Sequence, residues 1–272
     1  MAHDSRWLHT TQDGPPKFRY LKNEKMEIMK SNEIRILAVD DELGMLDLIR
    51  VLFKKFNFSI ETAHSGNQAL ELLDKQEFDL VLTDVRMPDG DGIELAQKIR
   101  NKHPAKPSIL FMTGFSDLLN EEIFHIGAEG KFTKPFDNNA VRAAIETCML
   151  LPYLRWNKAP IRDNYRLNIQ HTGKSVQLWD DEKIVQFGRG GFFASYSKSL
   201  PEKNTVISFE LMLEQPVPII FSGSGIVRWT HPRSKNVAAG VGVEITYMPE
   251  AESKKYYELF RDVRPFIPSP YR

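Results

Sequence analysis

The acidic stretch from Asp79 to Gly92 constrains the fold of this chain more than any other. It starts with the apolar run Leu80–Leu82, reaches Asp84 and then turns through a Pro-Asp-Gly-Asp-Gly sequence. This pattern predicts a buried parallel strand that delivers a carboxylate to the edge of a sheet. A charged acid at the end of an apolar strand is unfavourable unless other groups compensate it. The fold must therefore bring partners to Asp84.

Three other apolar runs end in side chains that suit such a site. They end at Asp40-Asp41, at Thr113 and at Lys134. If the four strands are parallel, these side chains share one edge of an open α/β sheet. Three converging carboxylates repel one another unless a cation lies between them, and oxygen ligands favour Mg2+. Helix capping is the simpler explanation of any one of these aspartates, but it does not account for all four strand ends.

Phosphoryl transfer is the chemistry that fits this group of side chains. Asp84 is the expected nucleophile, which would form an aspartyl phosphate. Lys134 would pair with the incoming charge, and Thr113 would donate its hydroxyl. Around these residues, apolar positions alternate between strand and helix spacing, which predicts five parallel strands and five helices in a doubly wound α/β sheet.

Residues 33–150 resemble the receiver domain of two-component response regulators. The resemblance lies in Asp40-Asp41, in Asp84 ahead of Met87-Pro88, in Thr113 and in Lys134-Pro135-Phe136. It implies a flavodoxin-like fold and a phosphoacceptor at Asp84 that signals and is not an enzyme. It also implies a sensor histidine kinase as partner, pairing of receivers as homodimers, and Mg2+ held by Asp40, Asp41, Asp84 and the backbone carbonyl of Arg86.

Two details of this region carry further expectations. The Lys134-Pro135 bond is a candidate cis peptide, because only proline makes that form accessible at low energy. Lys131, three residues earlier, stands where the family usually has an aromatic residue that changes rotamer with Thr113. The signal could therefore be relayed differently in this chain.

The rest of the chain has a different pattern. Residues 1–32 are polar and aperiodic and are expected to form a flexible extension, and residues 151–160 form a linker. Residues 161–263 are expected to form an all-β, six-stranded barrel closed by a helix that starts at Pro249, followed by an irregular tail over 264–272. The expected strands are Tyr165–Gln170, Ser175–Trp179, Ile184–Phe187, Val206–Leu213, Ile219–Trp229 and Val237–Ile245.

Residues 161–247 resemble the PilZ domain, a small barrel that binds cyclic di-GMP. The resemblance lies in the RxxxR pair at Arg162 and Arg166, the Gly190-Gly191 turn, Gly225–Trp229, and Gly240–Ile245 in the last strand. It implies a cyclic di-GMP site. The candidate residues are Arg162, Arg166, Gln186, Gly188, Arg189 and Gly191.

The second half of the PilZ ligand motif departs from the family pattern. Gln186 stands where the family has Asp or Asn, and Gly188 stands where it has Ser. Each lost hydrogen bond weakens binding by roughly 1–3 kcal/mol. Two functions stay open for this half: a cyclic di-GMP sensor, or an interaction module that binds no nucleotide and docks a protein target.

Charge and composition bear on the remaining questions, which are nucleic-acid binding and the location of the protein. The formal net charge is zero and the carboxyl-terminal half is mildly basic, which keeps nucleic-acid binding only as a third, weaker hypothesis, since no helix-turn-helix pattern follows the receiver. Cys148 is the single cysteine, so no internal disulfide can form and a cytoplasmic location is expected. The sequence has no apolar run long enough to span a bilayer and no apolar signal-peptide core.

Overall fold

The structure is a computed structural model. It describes residues 34–114, 118–150, 152–156, 166–167, 172–173, 185–195, 200–213, 218–232, 239–263 and 265–267. The predicted extension over residues 1–32 and Arg162 of the predicted ligand pair lie outside these residues. For Arg166, the description covers the backbone only.

The amino-terminal part contains a five-stranded parallel sheet, as predicted. The strand order is β2-β1-β3-β4-β5, so the chain starts in the middle of the sheet and winds outward in both directions. All neighbouring strands pair in parallel. The strands are β1 (Arg35–Val39), β2 (Ser59–Ala63), β3 (Leu80–Asp84), β4 (Ser108–Thr113) and β5 (Gly130–Thr133).

Five helices alternate with these strands and cover both faces of the sheet. They are α1 (Leu43–Lys55), α2 (Gly66–Lys75), α3 (Gly92–Lys102), α4 (Asn120–Ile126) and α5 (Asn138–Met149). Helices α1 and α5 pack on one face, and α2, α3 and α4 pack on the other. Because both faces are covered, the inner strands β1, β3 and β4 are mostly apolar, and β4 is buried at every position.

The carboxyl-terminal part contains a separate, mainly antiparallel sheet, which we call the half-barrel. Its main path runs β6-β10-β11-β12-β9-β8, and β7 also pairs with β10. The described pairings do not join the two ends of this path. The strands are β6 (Arg166–Leu167), β7 (Thr172–Gly173), β8 (Val185–Phe187), β9 (Gly191–Ser195), β10 (Val206–Leu213), β11 (Ile219–His231) and β12 (Gly240–Tyr247).

The half-barrel differs from the sequence prediction in strand number. The described part has seven strands, and two of them, β7 and β9, were not among the six expected, since only a turn was expected at Gly190-Gly191. The Val206–Leu213 strand has its predicted bounds. The two-residue strands β6 and β7 pair parallel to β10, whereas the other described pairings of this sheet are antiparallel. The strand predicted at 175–179 lies outside the described residues.

The predicted closing helix is present as α7, Glu250–Phe260, and Pro249 is its N-cap. Tyr256 and Phe260 are fully buried in the core of the half-barrel, whereas Leu259 is 40% exposed. Within the predicted linker, Pro152–Arg155 forms a helical turn, α6, and Trp156 packs edge-on against Tyr256. None of the helices in the described ranges is both long and apolar enough to cross a bilayer.

Candidate phosphoacceptor site

The four strand ends that the sequence singled out meet at one edge of the parallel sheet. Asp84 is the last residue of β3, Thr113 is the last residue of β4, and Asp40 directly follows β1. The Lys134 ammonium lies 2.7 Å from Asp40 Oδ2 and 3.0 Å from Asp84 Oδ2. The sheet therefore brings residues 40, 84 and 134 together although they are distant in sequence.

Three carboxylates form a group that could hold a metal ion. One ligand oxygen from each of Asp40, Asp41 and Asp84 lies within 4.8 Å of the others. Asp40 is fully buried, Asp84 is half-buried and Asp41 is exposed, so the group opens to solvent on one side. An all-oxygen donor set with room for water fits Mg2+, which keeps several waters when it binds protein. The donors thus fit the ion that the receiver family binds.

Burial and charge pairing determine the protonation of this group. Burial raises the pKa of Asp40, and the hydrogen bond from Lys134 offsets only part of that increase. For Lys134, burial favours the neutral amine, but the hydrogen bonds to Asp40 and Asp84 outweigh it and raise the pKa. Lys134 is therefore held as a cation beside Asp84.

The backbone fixes the orientation of the carboxylates. The amide of Val85 donates to Asp84 Oδ1 at 2.7 Å, and the amide of Glu42 donates to Asp40 Oδ1 at 3.0 Å. The Lys134-Pro135 peptide bond is cis, as predicted. Lys134 N donates to the Thr113 carbonyl at 2.7 Å, which ties the end of β4 to the loop that carries the lysine.

The loop after β3 lies close to the site. Arg86, Met87, Pro88 and Asp91 line a shallow surface cleft of about 320 Å3. Arg86 follows Asp84 by two residues, and the expected role of its carbonyl as a metal ligand stays a prediction. The Asp91 side chain caps α3 by accepting from Glu94 N at 2.8 Å.

Gly92 allows this loop to pass directly over the strand that carries Asp84. A Cβ atom at Gly92 would lie 2.0 Å from the Asp84 carbonyl oxygen, whereas a Cβ at Gly44 in α1 would meet no atom within 4 Å. We expect Gly92→Ala to lower the free energy of unfolding by about 1–3 kcal/mol because the backbone must shift. Gly44→Ala is the matched control, and it should be neutral or stabilising by up to about 1 kcal/mol. Urea denaturation of both variants measures the difference, and equal effects would contradict this account.

Lys131 occupies the position where an aromatic residue was expected. Its ammonium donates to the carbonyl of Leu118, at the entry to α4. Burial, together with the positive charge of Lys203 from the half-barrel, lowers the pKa of Lys131. The lysine is thus tied to the α4 entry, and its effect on signal relay stays a prediction.

The described residues among those proposed for cyclic di-GMP lie toward the two ends of the strand path of the half-barrel. The backbone of Arg166 lies in β6, at the edge of the half-barrel, whereas Gln186, Gly188, Arg189 and Gly191 lie on or beside β8 and β9. Gly191 has a packing reason of its own, because a Cβ there would lie 2.0 Å from the Val243 carbonyl oxygen. Gln186 Nε2 is buried and has no hydrogen-bond partner among the described residues.

Arg189 is placed where sequence reasoning did not expect it. It is 3% exposed, and it contacts Glu129 and Gly127 of the amino-terminal part rather than solvent. Glu129 and Arg100 lie at the same contact and were not predicted from the sequence. Helical spacing offered one signal, because Arg100 follows Ala96 by four residues and therefore falls on the buried face of α3.

Comparison with known proteins places the amino-terminal part in a family. Residues 36–146 match the family model described as response regulator receiver domain. The transcriptional regulatory protein ZraR of Escherichia coli (strain K12) is 36% identical over 122 residues, which are 44% of this chain and 27% of that protein. The response regulator protein PilR of Pseudomonas aeruginosa is 32% identical over 128 residues, 47% of this chain and 28% of that protein.

The matched region thus spans little more than a quarter of these relatives. Among solved structures, the chemotaxis response regulator CheY4 of Vibrio cholerae aligns over 43% of this chain and 98% of its own, with 26% identity and a TM-score of 0.40. The family model ends before the half-barrel. The resemblance of the half-barrel to the PilZ domain therefore stays a prediction. The amino-terminal part of this chain is a response regulator receiver domain.

Proposed function

We propose that this chain is a two-component response regulator that accepts a phosphoryl group on Asp84 and passes the signal to the half-barrel. The observation that carries the proposal is the Lys134 ammonium, which lies 2.7 Å from Asp40 and 3.0 Å from Asp84 at the edge of the sheet. The donor is a sensor histidine kinase, as expected for a receiver domain. A cytoplasmic location, homodimers through the receiver and a separate protein target stay predictions.

The chemistry follows from the arrangement of the side chains. An Asp84 carboxylate oxygen attacks the phosphorus of the donor, an acyl phosphate forms, and the bond from phosphorus to the donor atom breaks. Lys134 stands beside the carboxylate and neutralises the charge that the phosphoryl oxygens bring. Thr113 ends the neighbouring strand and can donate its hydroxyl to them. Mg2+ held by Asp40, Asp41 and Asp84 would supply further charge neutralisation.

Acetyl phosphate gives a direct test with the full chain. We expect the intact mass of the protein to increase by one phosphoryl group when acetyl phosphate and Mg2+ are both present. EDTA should suppress that increase, because the three carboxylates then lack the cation that offsets their repulsion. Absence of the mass increase at saturating Mg2+ would contradict the proposal.

For the half-barrel, we propose that its output runs through protein contacts rather than nucleotide binding. The supporting observation is that Arg189, one of six residues proposed for cyclic di-GMP, is buried against Glu129. Gln186 also supplies a longer amide where the ligand motif has Asp or Asn, and Gly188 lacks the hydroxyl that the motif supplies. Nucleotide would have to bind without Arg189 or displace the receiver.

Calorimetric titration with cyclic di-GMP distinguishes the two outputs. We expect no saturable binding to the full chain at concentrations up to about 100 μM, which corresponds to a binding free energy weaker than about −5.5 kcal/mol. The result should be the same with beryllofluoride, which mimics the aspartyl phosphate. Micromolar binding that is lost in Arg166→Ala would instead show that the half-barrel is a cyclic di-GMP sensor.

A further inference from the structure

The receiver and the half-barrel meet at a buried ion pair. Arg189 Nη1 lies 2.8 Å from Glu129 Oε1, and both side chains are only 3% exposed. The same guanidinium donates to the Gly127 carbonyl at the end of α4. Buried charges are unfavourable unless they are paired and hydrogen-bonded, so this arginine depends on the receiver for its partners.

Glu129 is held from the receiver side as well. Its carboxylate accepts from Ile109 N at 2.8 Å, and Arg100 Nη2 lies 3.9 Å away. Burial favours the neutral acid, but the charges of Arg189 and Arg100 outweigh it and lower the pKa of Glu129. The carboxylate is therefore charged at neutral pH and links β4 of the receiver to the half-barrel.

An apolar seam lies beside the ion pair. The Phe124 ring stacks on Trp229 and on Phe266, with centroid distances of 6.0 and 5.7 Å. Phe266 N also donates to the Phe124 carbonyl at 3.0 Å. These three side chains and Ile267 form a cluster that is buried between α4 and the half-barrel. The segment over 265–267, which sequence analysis assigned to an irregular tail, is thus part of the contact.

The loop that presents Arg189 is held in one shape. The Tyr256 hydroxyl lies 3.0 Å from the Gly188 carbonyl and 2.8 Å from the Gly191 carbonyl. Arg189 N donates to the Pro265 carbonyl at 3.1 Å, and Gly190 N donates to the Phe266 carbonyl at 2.8 Å. A side chain that is presented by a constrained loop loses little further freedom when it docks.

We propose that the Gly188–Gly191 loop is a docking surface whose partner is the Phe124–Glu129 segment of the receiver in the same chain. Arg189 is its anchor. The contact sets one orientation of the receiver on the half-barrel, and it closes both surfaces to other partners while it persists. A protein target of either surface must therefore displace the other domain first.

The location of this contact ties it to the phosphoacceptor edge. Strand β4 ends at Thr113 in the site and begins at Ser108-Ile109, where Glu129 is bound. Helix α4 follows Thr113 in the chain and ends at Ile126, next to Gly127, which Arg189 contacts. Two receiver elements thus connect the edge that carries the phosphoacceptor with the surface that the half-barrel covers.

Hydrogen exchange and small-angle X-ray scattering of the full chain test the proposal. We expect Arg189→Met, which keeps the bulk of the side chain and removes its charge, to raise amide exchange at Phe124–Glu129 and at Gly188–Gly191 by about tenfold or more. The radius of gyration should increase because the domains separate. Arg228→Met is the matched control, because it breaks an ion pair with Glu244 inside the half-barrel. It should leave exchange at Phe124–Glu129 and the radius of gyration unchanged.

A second variant keeps the test decisive if Arg189→Met does not fold. Phe266→Ala removes the ring that stacks on Phe124 and lies 5.4 Å from the Arg189 guanidinium carbon, while both charges of the ion pair are kept. It should raise exchange in the same two segments. Wild-type protection at both segments in a folded Arg189→Met or Phe266→Ala variant, together with an unchanged radius of gyration, would overturn the proposal.

Discussion

Asp84→Asn is expected to abolish phosphoryl incorporation from acetyl phosphate, with labelling at background level even at saturating Mg2+. The amide is nearly isosteric but lacks the anionic oxygen that attacks phosphorus, so no acyl phosphate can form. The amide also weakens the pairing with Lys134, which lies 3.0 Å from Asp84 Oδ2. Intact-mass measurement over time gives the rate for the variant and for the wild-type chain.

Asp89→Asn is the control for this experiment. Asp89 lies in the loop after β3 and is outside the group of carboxylates at the site. The Asp89→Asn variant should be phosphorylated at nearly the wild-type rate, because the Asp89 side chain is not needed to hold the cation or to attack phosphorus. Wild-type labelling of Asp84→Asn would place the phosphoacceptor elsewhere, and loss in both variants would indicate a defect of the loop rather than of the nucleophile.

Glu129→Gln is expected to lower the free energy of unfolding by about 3–5 kcal/mol, because it removes the carboxylate between two buried guanidinium groups. Arg189 and Arg100 face Glu129 from the half-barrel and from α3, and both are almost fully buried. Removing one partner of a buried ion pair leaves the other charge buried without compensation, and this lowers stability more than the loss of an exposed pair does. Chemical denaturation followed by fluorescence measures the change.

Glu146→Gln is the matched control for Glu129→Gln. Glu146 pairs with Arg142 on α5, and both side chains are more than 40% exposed. Loss of such a surface pair should change stability by less than about 1 kcal/mol. In an Arg189→Met background, Glu129→Gln should lower the free energy of unfolding by less, because one of the two guanidinium charges that face Glu129 is already absent. A similar change in stability for Glu129→Gln and Glu146→Gln would contradict the buried charge pair.

The convergence of Asp40, Asp84 and Lys134 could be predicted from the sequence because these residues mark local patterns. Each of Asp40, Asp84, Thr113 and Lys134 stands at the end of an apolar run, and parallel strands bring such ends to one edge. The hydrogen bonds of Lys134 to Asp40 and Asp84 follow from that arrangement. No knowledge of long-range packing was needed beyond the direction of the strands.

The half-barrel was predicted less well, for identifiable physical reasons. The strand Gly191–Ser195 was missed because Phe192, Phe193 and Ala194 are all buried, so the strand shows no alternation of polar and apolar residues. The glycine pair ahead of it suggested a turn. Gly191 is instead required by the close approach of β12, which is a contact that local sequence does not reveal.

The interdomain contact could not have been predicted from local patterns at all. Glu129 and Arg189 are 60 residues apart in sequence, and each stands in a loop with no periodic neighbours. Arg189 was assigned to a nucleotide site because its position in the motif was the only information available. Its burial against the receiver depends on how the two domains pack, and the sequence pattern of either domain alone does not contain that information.

The most direct test of the central claim is to locate the phosphoryl group on the full chain. The protein is incubated with acetyl phosphate and Mg2+, the acyl phosphate is reduced with borohydride, and the modified residue is identified by peptide mass spectrometry. We predict that Asp84 alone is converted to homoserine, and that omission of Mg2+ removes the product. Conversion at another carboxylate, or none under conditions in which the protein is folded, would contradict the assignment of this chain as a response regulator that is phosphorylated at Asp84.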